Sequence, residues 1–380
     1  MKNRPNIFQI GTKELTQDAF IVWSLSWINL PGDFPEKQYG LELLNTMLKL
    51  HDISVPSNLI DSIKIKRQYK NIDILVSFSA GHKKYQIIIE DKTNTAMHSG
   101  QLEKYFNIVK SENRKDDVEI IGIYYKTGYI FDNEVSYINR FNETIGRFRI
   151  FNRQEMINVM STYLEVISSD IFHDYYDHIF ELQQEENRHI ANIASKDLDK
   201  VQSSLESAVG QWIFMKELFG KIANEDDKTS IRRGNSSGRP WTQCSFKPSN
   251  TSPEFPEALF YRLDSRQEGF YLSIRQYYNY DSNFSKLNKP LESYRWDKVN
   301  RLNKLIKIFQ EIMEQFEKEN PSYLLVNGKR VTDRAGKKES EIGVFFINGM
   351  NTPDKIMRFI PEFHQRFLKE VKGKEKWELV

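Results

Sequence analysis

The chain has 380 residues, 39% of them hydrophobic and 13% aromatic, which is enough apolar material for two packed cores and too much for a disordered polymer. Its 54 Lys and Arg against 52 Asp and Glu leave a net charge of +2, so affinity for nucleic acid would have to come from local basic patches rather than a global field. Cys244 is the one cysteine, which excludes an internal disulfide and a cysteine-rich zinc site and suits a reducing cytosol.

No window approaches about eighteen uncharged apolar residues, so no membrane span is expected. The start, MKNRPNIFQIGTKEL, lacks the apolar run of a signal peptide, and the expected location is cytoplasmic. The first element is a helix over Leu15–Ile28, with Ala19, Phe20, Trp23, Leu25, Trp27 and Ile28 on an apolar face and Thr12 or Thr16 as its cap. Pro31, Gly32 and Pro35 end it, and a second helix follows over Tyr39–Leu50. Strands are expected at Ile63–Tyr69, Ile72–Phe78 and Tyr85–Asp91, the last two joined through Ala80-Gly81-His82. Ile87-Ile88-Ile89 suits a strand buried on both faces. A helix capped by Ser99 runs to Lys110, and strands follow at Val118–Tyr125 and Arg147–Phe151.

The stretch from Asn152 to Ile222 reads as mostly helical. After Lys228 the composition changes: RRGNSSGRPWTQ reads as a loop, and strands are expected near Trp241–Phe246, Ala258–Leu263 and Gly269–Tyr277. A helix over Trp296–Lys318, strands at Ser322–Val331 and Glu341–Ile347 flanking the basic TDRAGKKES, and a helix over Pro353–Val371 complete the chain. The expected organisation is a first domain over residues 1–160, a helical connector over 161–228 and a carboxy-terminal α+β domain over 229–380.

The segment Asn71–Tyr105 carries the chemistry. In a strand, residues two apart share a face, so Glu90 and Lys92 point together and Asp91 points away. Pairing that sets Asp73 beside Glu90 brings two carboxylates within reach of one Mg²⁺, which takes oxygen ligands and keeps several waters. The backbone carbonyl of Asp91 is a further candidate ligand, and Lys92 is placed to orient an attacking water or steady the phosphoryl transition state. Gln101 and Tyr105, four apart, share a helix face beside them. Each of these residues alone is commonplace, a solvated turn acid or surface pair; the ordered set on strand, strand and helix is not. The chemistry is metal-assisted phosphodiester hydrolysis.

The order Asp73, then Glu90-Asp91-Lys92, then Gln101-Leu102-x-x-Tyr105 resembles the PD-(D/E)XK nuclease superfamily, and is particularly similar to its Q-x-x-x-Y branch of RecB-type nuclease domains. GTKELTQDAFIVWSLSW and IDILV…IIIEDK also resemble a bacterial family within it. The resemblance implies a restriction-endonuclease-like αβββαβ core in an α/β fold and Mg²⁺- or Mn²⁺-dependent hydrolysis. It implies Asp73, Glu90 and Lys92 as the motif residues, and Glu14 as the glutamate that the first core helix often adds to the metal side. Two departures stand out: Ile72 replaces the usual proline before Asp73, and Asp91 stands where asparagine is more usual.

Lys64, Lys66, Arg67 and Lys104 are candidates for contacts to backbone phosphates, against the plainer reading of a solvated strand and helix face. Arg232, Arg233, Arg239, Trp241 and the cluster Tyr277–Tyr280 mix basic and aromatic residues, suited to nucleic acid or to an ordinary β core. No H-E-x-x-H, P-loop or G-x-G-x-x-G occurs. The expected partner is nucleic acid, DNA first, in a setting such as restriction or phage defence. Cutting both strands of a duplex with one site per chain would favour a homodimer. The rival readings are a scaffold that keeps the nuclease fold without turnover and an enzyme silent until an effector binds its carboxy-terminal part.

Overall fold

Ile87, Ile88 and Ile89 are fully buried, as a central strand requires, and the first unit of the computed structural model is built around them. The structure describes residues 5–11, 14–60, 62–93, 100–114, 117–225, 230–246, 257–266, 269–278, 291–319 and 339–373. The chain divides into two units, Met1–Glu185 and Glu186–Val380.

The first unit contains α1 (Ile7–Ile10), α2 (Glu14–Ser26), α3 (Pro35–Lys49), β1 (Ile63–Tyr69), β2 (Ile72–Ala80), β3 (Lys83–Lys92) and α4 (Gln101–Glu112). It continues with β4 (Val118–Lys126), α5 (Asp132–Thr144), β5 (Phe148–Asn152), α6 (Arg153–Ser161) and the start of α7 (Asp170–Ser195). Its five strands lie in chain order. β1, β2 and β3 pair antiparallel, whereas β3–β4 and β4–β5 pair parallel. This is the expected αβββαβ arrangement extended by one helix and strand.

Strand alternation sorts the sheet's side chains to two faces. Ile74, Val76, Ile87, Ile89, Ile121, Ile123 and Tyr125 join α2, α3 and α6 in one core. Leu75, Ile88 and Tyr124 join Leu102, Tyr105, Phe106 and Val109 of α4, with Ile138 and Phe141 of α5, in the other. The backbones of α2 and α3 meet at Gly40, where a Cβ would stand 2.7 Å from the Ser24 carbonyl oxygen. That close approach seats α2 against α3.

Two local expectations are corrected. Pro35 opens α3 rather than ending the preceding element, because a helix's first turn has no use for the missing N–H. Thr16 lies inside α2 rather than capping it, since the helix begins at Glu14. Thr12 and Ser99 lie outside the described residues, and the position before α4 is Gly100, in left-handed backbone with φ 78°.

The second unit holds α8 (Leu198–Leu205), α9 (Ala208–Glu225), β6 (Ser230–Ser236), β7 (Arg239–Phe246), β8 (Glu257–Arg266), β9 (Gly269–Tyr278), α10 (Leu291–Glu319), β10 (Glu339–Ile347) and α11 (Pro353–Gly373). Its sheet runs β10-β9-β8-β7-β6, antiparallel throughout. Leu259, Tyr261, Leu263, Leu272 and Ile274 of this sheet pack with Phe214, Leu305, Phe309, Phe359 and Phe363 of α9, α10 and α11. The segment RRGNSSGRPWTQ is a hairpin rather than a loop: Arg232 pairs with Gln243 and Gly234 with Trp241. Its turn is made by Ser237 and Gly238, with φ of 53° and 80°, the left-handed pair that suits a tight hairpin. The expected strand Ser322–Val331 and the loop TDRAGKKES lie almost wholly outside the described residues. Residues 161–225 are largely helical, and the division between the units falls within them. Among the described residues, no helix is long and apolar enough to cross a membrane.

Candidate active site

The register of β2 against β3 decides the site. Ile74 lies opposite Ile89, so Asp73 arrives beside Glu90 where the two strands end. Glu90 and Lys92 share the α4 face of the sheet with Ile88, and Asp91 projects to the α2 face with Ile89. The Asp91 N–H donates to Asp73 Oδ2 at 3.0 Å, tying the strands together at the chemistry.

Lys92 sits at the centre, 5% exposed. Its ammonium lies against Glu90 Oε1, 3.9 Å from Asp73 Oδ2 and 3.8 Å from Glu14 Oε2, and it donates to the Asp91 carbonyl oxygen at 2.8 Å. Burial opposes the charge on Lys92, but Glu90, Asp73 and Glu14 outweigh it and raise its pKa. Glu90 is fully buried, and burial, reinforced by the charge of Asp73, pushes its carboxyl up to about 8. Beyond the Lys92 ammonium, neither oxygen of Glu90 has a hydrogen-bond donor among the described residues.

The predicted site residues separate into three groups. Asp73, Glu90, Lys92, Glu14 and the carbonyl of Asp91 are brought together. Gln101 and Tyr105 flank them: Gln101 Nε2 donates to Tyr105 Oη at 2.9 Å. Burial first, and then the charges of Glu90 and Asp73, raise the Tyr105 pKa, so the phenol feels the site and stays protonated. The basic candidates divide by strand alternation. Lys64 and Lys66 lie across from Ser77 and Leu75, on the same sheet face as Glu90. Arg67 turns to the opposite face, where its guanidinium donates to the Leu15 carbonyl at 3.3 Å. Lys104 is exposed on α4.

The far face holds residues that the sequence reading did not single out. Gln17 Nε2 donates to Asp91 Oδ1 and its Oε1 accepts from the Thr127 hydroxyl at 2.6 Å. Gln68 Nε2 donates to Asp18 Oδ2 and Asp73 Oδ1, both at 3.2 Å, from a left-handed backbone with φ 49°. Burial first, then Asp73, pushes Asp18 up to about 6. Burial and then Asp18 push Asp91 well above the carboxylate range. Glu14, Gln17 and Asp18 stand at helical i, i+3 and i+4 spacing on α2, which was the available signal. On the near face, Lys126 pairs in register with Lys92 and is fully buried. Its ammonium and the Tyr124 hydroxyl both donate to Glu134 Oε1, at 2.5 and 2.6 Å. Glu134 also accepts from the Phe131 N–H at 3.0 Å, so the wall beside Lys92 is fixed by the start of α5.

The donor set suits a hard divalent cation. It consists of carboxylates and a carbonyl, with the Glu90 oxygens short of donors. Among the described residues, no group of three or more His, Cys, Asp or Glu forms a ready-made metal cage. Two carboxylates and a carbonyl instead leave positions for water and phosphate oxygens. A family model described as the PD-(D/E)XK nuclease superfamily matches residues 5–200, just over half of the chain. No curated protein and no solved structure gives a significant match.

Proposed function

The chain belongs to the PD-(D/E)XK nuclease superfamily, and on that premise we propose that its first unit hydrolyses phosphodiester bonds of DNA with the help of a Mg²⁺ or Mn²⁺ ion. The observation that supports this reading best is the convergence of Asp73, Glu90 and Lys92 on one face of paired strands, with the Lys92 ammonium against Glu90 and 3.9 Å from Asp73.

Asp73 and Glu90 would hold the ion, with the Asp91 carbonyl and Glu14 as further oxygens. Bound there, a divalent ion supplies a Lewis acid for the phosphoryl oxygen and lowers the pKa of a bound water. The protein's own residues supply position. Asp73 is clamped by two donors, Gln68 Nε2 on Oδ1 and the Asp91 N–H on Oδ2, which fixes the plane of its carboxylate. Lys92 carries a permanent positive charge to the place where negative charge grows on phosphorus and its leaving oxygen. Tyr105, protonated and held by Gln101, offers a hydroxyl to a phosphate oxygen or braces the lysine. Lys64, Lys66 and Lys104 would contact the backbone of the substrate on the near face. Two copies of the chain would cut the two strands of a duplex, in a setting such as restriction or phage defence.

The test is cleavage of single- and double-stranded DNA and RNA in Mg²⁺ or Mn²⁺ by the wild type and by Lys92→Ala. DNA cleavage that depends on metal and falls by roughly 10²–10³ in the variant is expected. Cleavage at the wild-type rate by Lys92→Ala overturns the mechanism, and metal-dependent cleavage of RNA alone overturns the substrate.

A further inference from the structure

Four oxygen groups converge on one ammonium. Lys92 Nζ lies against Glu90 Oε1, donates to the Asp91 carbonyl at 2.8 Å, and stands 3.8 Å from Glu14 Oε2 and 3.9 Å from Asp73 Oδ2. These are the same four groups that would ligate a divalent ion under the proposed function. We infer that Lys92 is the resident cation of the metal-free site, and that a divalent ion enters only by displacing its ammonium. The inference rests on the metal-nuclease reading and adds to it how the site controls its metal.

Two charges cannot share this position. A buried ammonium and a divalent ion held by the same oxygens would stand within about 4 Å of each other, where their repulsion is far above thermal energy even at an effective dielectric constant of ~20. The lysine is suited to exchange: its charge is compact and its four-carbon stem flexible, whereas a planar guanidinium would lock to the carboxylates in a fixed fork. Without the ammonium, Glu90 would be a fully buried acid with no donor on either oxygen, an arrangement that costs folding stability. Lys92 therefore does two jobs in sequence. It neutralises the acids while the site waits, and when the ion takes over their oxygens it is freed to serve the reacting phosphate. The site's affinity for metal is set lower than its acids alone would give, so that activity follows the free concentration of the ion.

The measurement is Mn²⁺ binding by titration calorimetry, without nucleic acid, on the wild type and on Lys92→Met, whose side chain keeps the stem and drops the charge. Lys92→Met is expected to bind at least about tenfold more tightly, a conservative share of the charge interaction removed. Binding by the wild type with equal or weaker binding by a folded Lys92→Met overturns the inference and leaves the proposed function standing. Absence of binding by both the wild type and a folded Lys92→Met overturns the proposed function and this inference with it. A second measurement needs no loss of charge: the side-chain ¹⁵N signal of Lys92 in the wild type, identified by its absence from Lys92→Arg. Its protons should exchange slowly with water in the metal-free protein and rapidly at saturating Mg²⁺. An exchange rate that saturating Mg²⁺ leaves unchanged overturns the displacement.

Discussion

Each unit of this protein gathers charge on its sheet, and the two gatherings differ in balance. In the first unit, Glu14, Asp73 and Glu90 surround the ammonium of Lys92, and Asp18 and Asp91 lie together behind them, with Arg67 acting on Asp18 from the edge. In the second unit, Arg262, Arg266 and Arg275 meet Asp264, Glu339 and Glu341, three guanidinium groups to three carboxylates. Arg262 and Arg266 also lie over the rings of Trp241 and Tyr271, at 4.8 and 3.6 Å. The second set is closed on itself and ties β8, β9 and β10 together. The first has more carboxylates than cations, and burial raises the pKa of Glu90 and Asp91, so its acids rest on protons and one ammonium and can give up both to a cation. Charge imbalance at buried positions, rather than the number of charged groups, separates the candidate site from the structural network.

The sharpest way to break that contrast is to remove one cation from each. Lys92→Ala should lower single-turnover cleavage by roughly 10²–10³, the usual loss when one preorganised donor to developing charge is removed. Arg275→Met should leave that rate within about twofold and instead destabilise the second unit, by roughly 3–5 kcal/mol if its partners are left buried and unpaired. Rates and urea unfolding of both variants decide the matter. An Arg275→Met enzyme that folds normally and fails to cut would erase the distinction.

The next effect is stabilisation by metal. At a free Mn²⁺ concentration ~100 times its dissociation constant, the wild type should gain about 2.7 kcal/mol. Asp73→Asn combined with Glu90→Gln should gain nothing, and Glu341→Gln in the second unit should respond as the wild type does. Melting temperatures across a Mn²⁺ series measure all three.

Smaller shifts follow from pH in the metal-free protein. Glu90 titrates near 8 in the fold, far above an unfolded glutamate. Between those values the folded state holds the extra proton, so stability falls as pH rises toward 8. His51 is opposite in sign. Burial, offset in part by its hydrogen bond to the Gly122 carbonyl, lowers it to about 4, so unfolding takes up a proton there and stability falls as pH drops from about 6.5 toward 4. Between about 4.5 and 6.5 the two slopes oppose each other, so urea midpoints should be nearly level there and fall as pH rises from about 6.5 toward 8. Glu90→Gln should lessen the fall above about 6.5 and uncover the His51 limb below it, and an unchanged fall above about 6.5 in that variant would refute the assignment.

How much of this was legible in the chain follows the same division. The triple isoleucine, the acid-x-lysine spacing and the Gln-x-x-x-Tyr spacing specify a central strand, a shared face and a flanking helix, because strand and helix periods act over a few residues. Asp73 was legible because its strand is joined to β3 by a short turn. Gln17, Asp18, Gln68 and Thr127 were not, because Gln17 reaches Asp91 across 74 residues of chain and Thr127 reaches Gln17 across 110, while Gln68 joins Asp18 to Asp73 from the end of β1. The pairing of Lys126 with Glu134 was hidden for another reason: a lysine after two tyrosines looks like a strand end meeting solvent, and only the α5 cap makes it a buried ion pair. The hairpin at Arg232–Trp241 was read as a loop because Gly, Ser and Arg dominate it, although Ser237 and Gly238 are the turn residues that a hairpin needs.

The smallest predicted effect tests whether position on the sheet, rather than charge alone, governs substrate contact. Lys64, Lys66 and Arg67 are close in sequence and equal in charge, yet strand alternation sends the two lysines to the face of Glu90 and the arginine to the Leu15 carbonyl. Neutralising a side chain that pairs with one phosphate should reduce the slope of log affinity against log salt by about 0.7–0.9. Lys64→Gln should therefore reduce the slope for DNA by nearly one, measured in Ca²⁺ so that cutting does not interfere. Lys66→Gln should reduce it by less, because that ammonium is already 4.1 Å from the centre of the Tyr69 ring. Arg67→Gln should leave the slope unchanged and cost only a little stability. Equal slope changes in all three variants would mean that the edge strand acts as a diffuse patch, and the face of the sheet would lose its claim to direct the substrate.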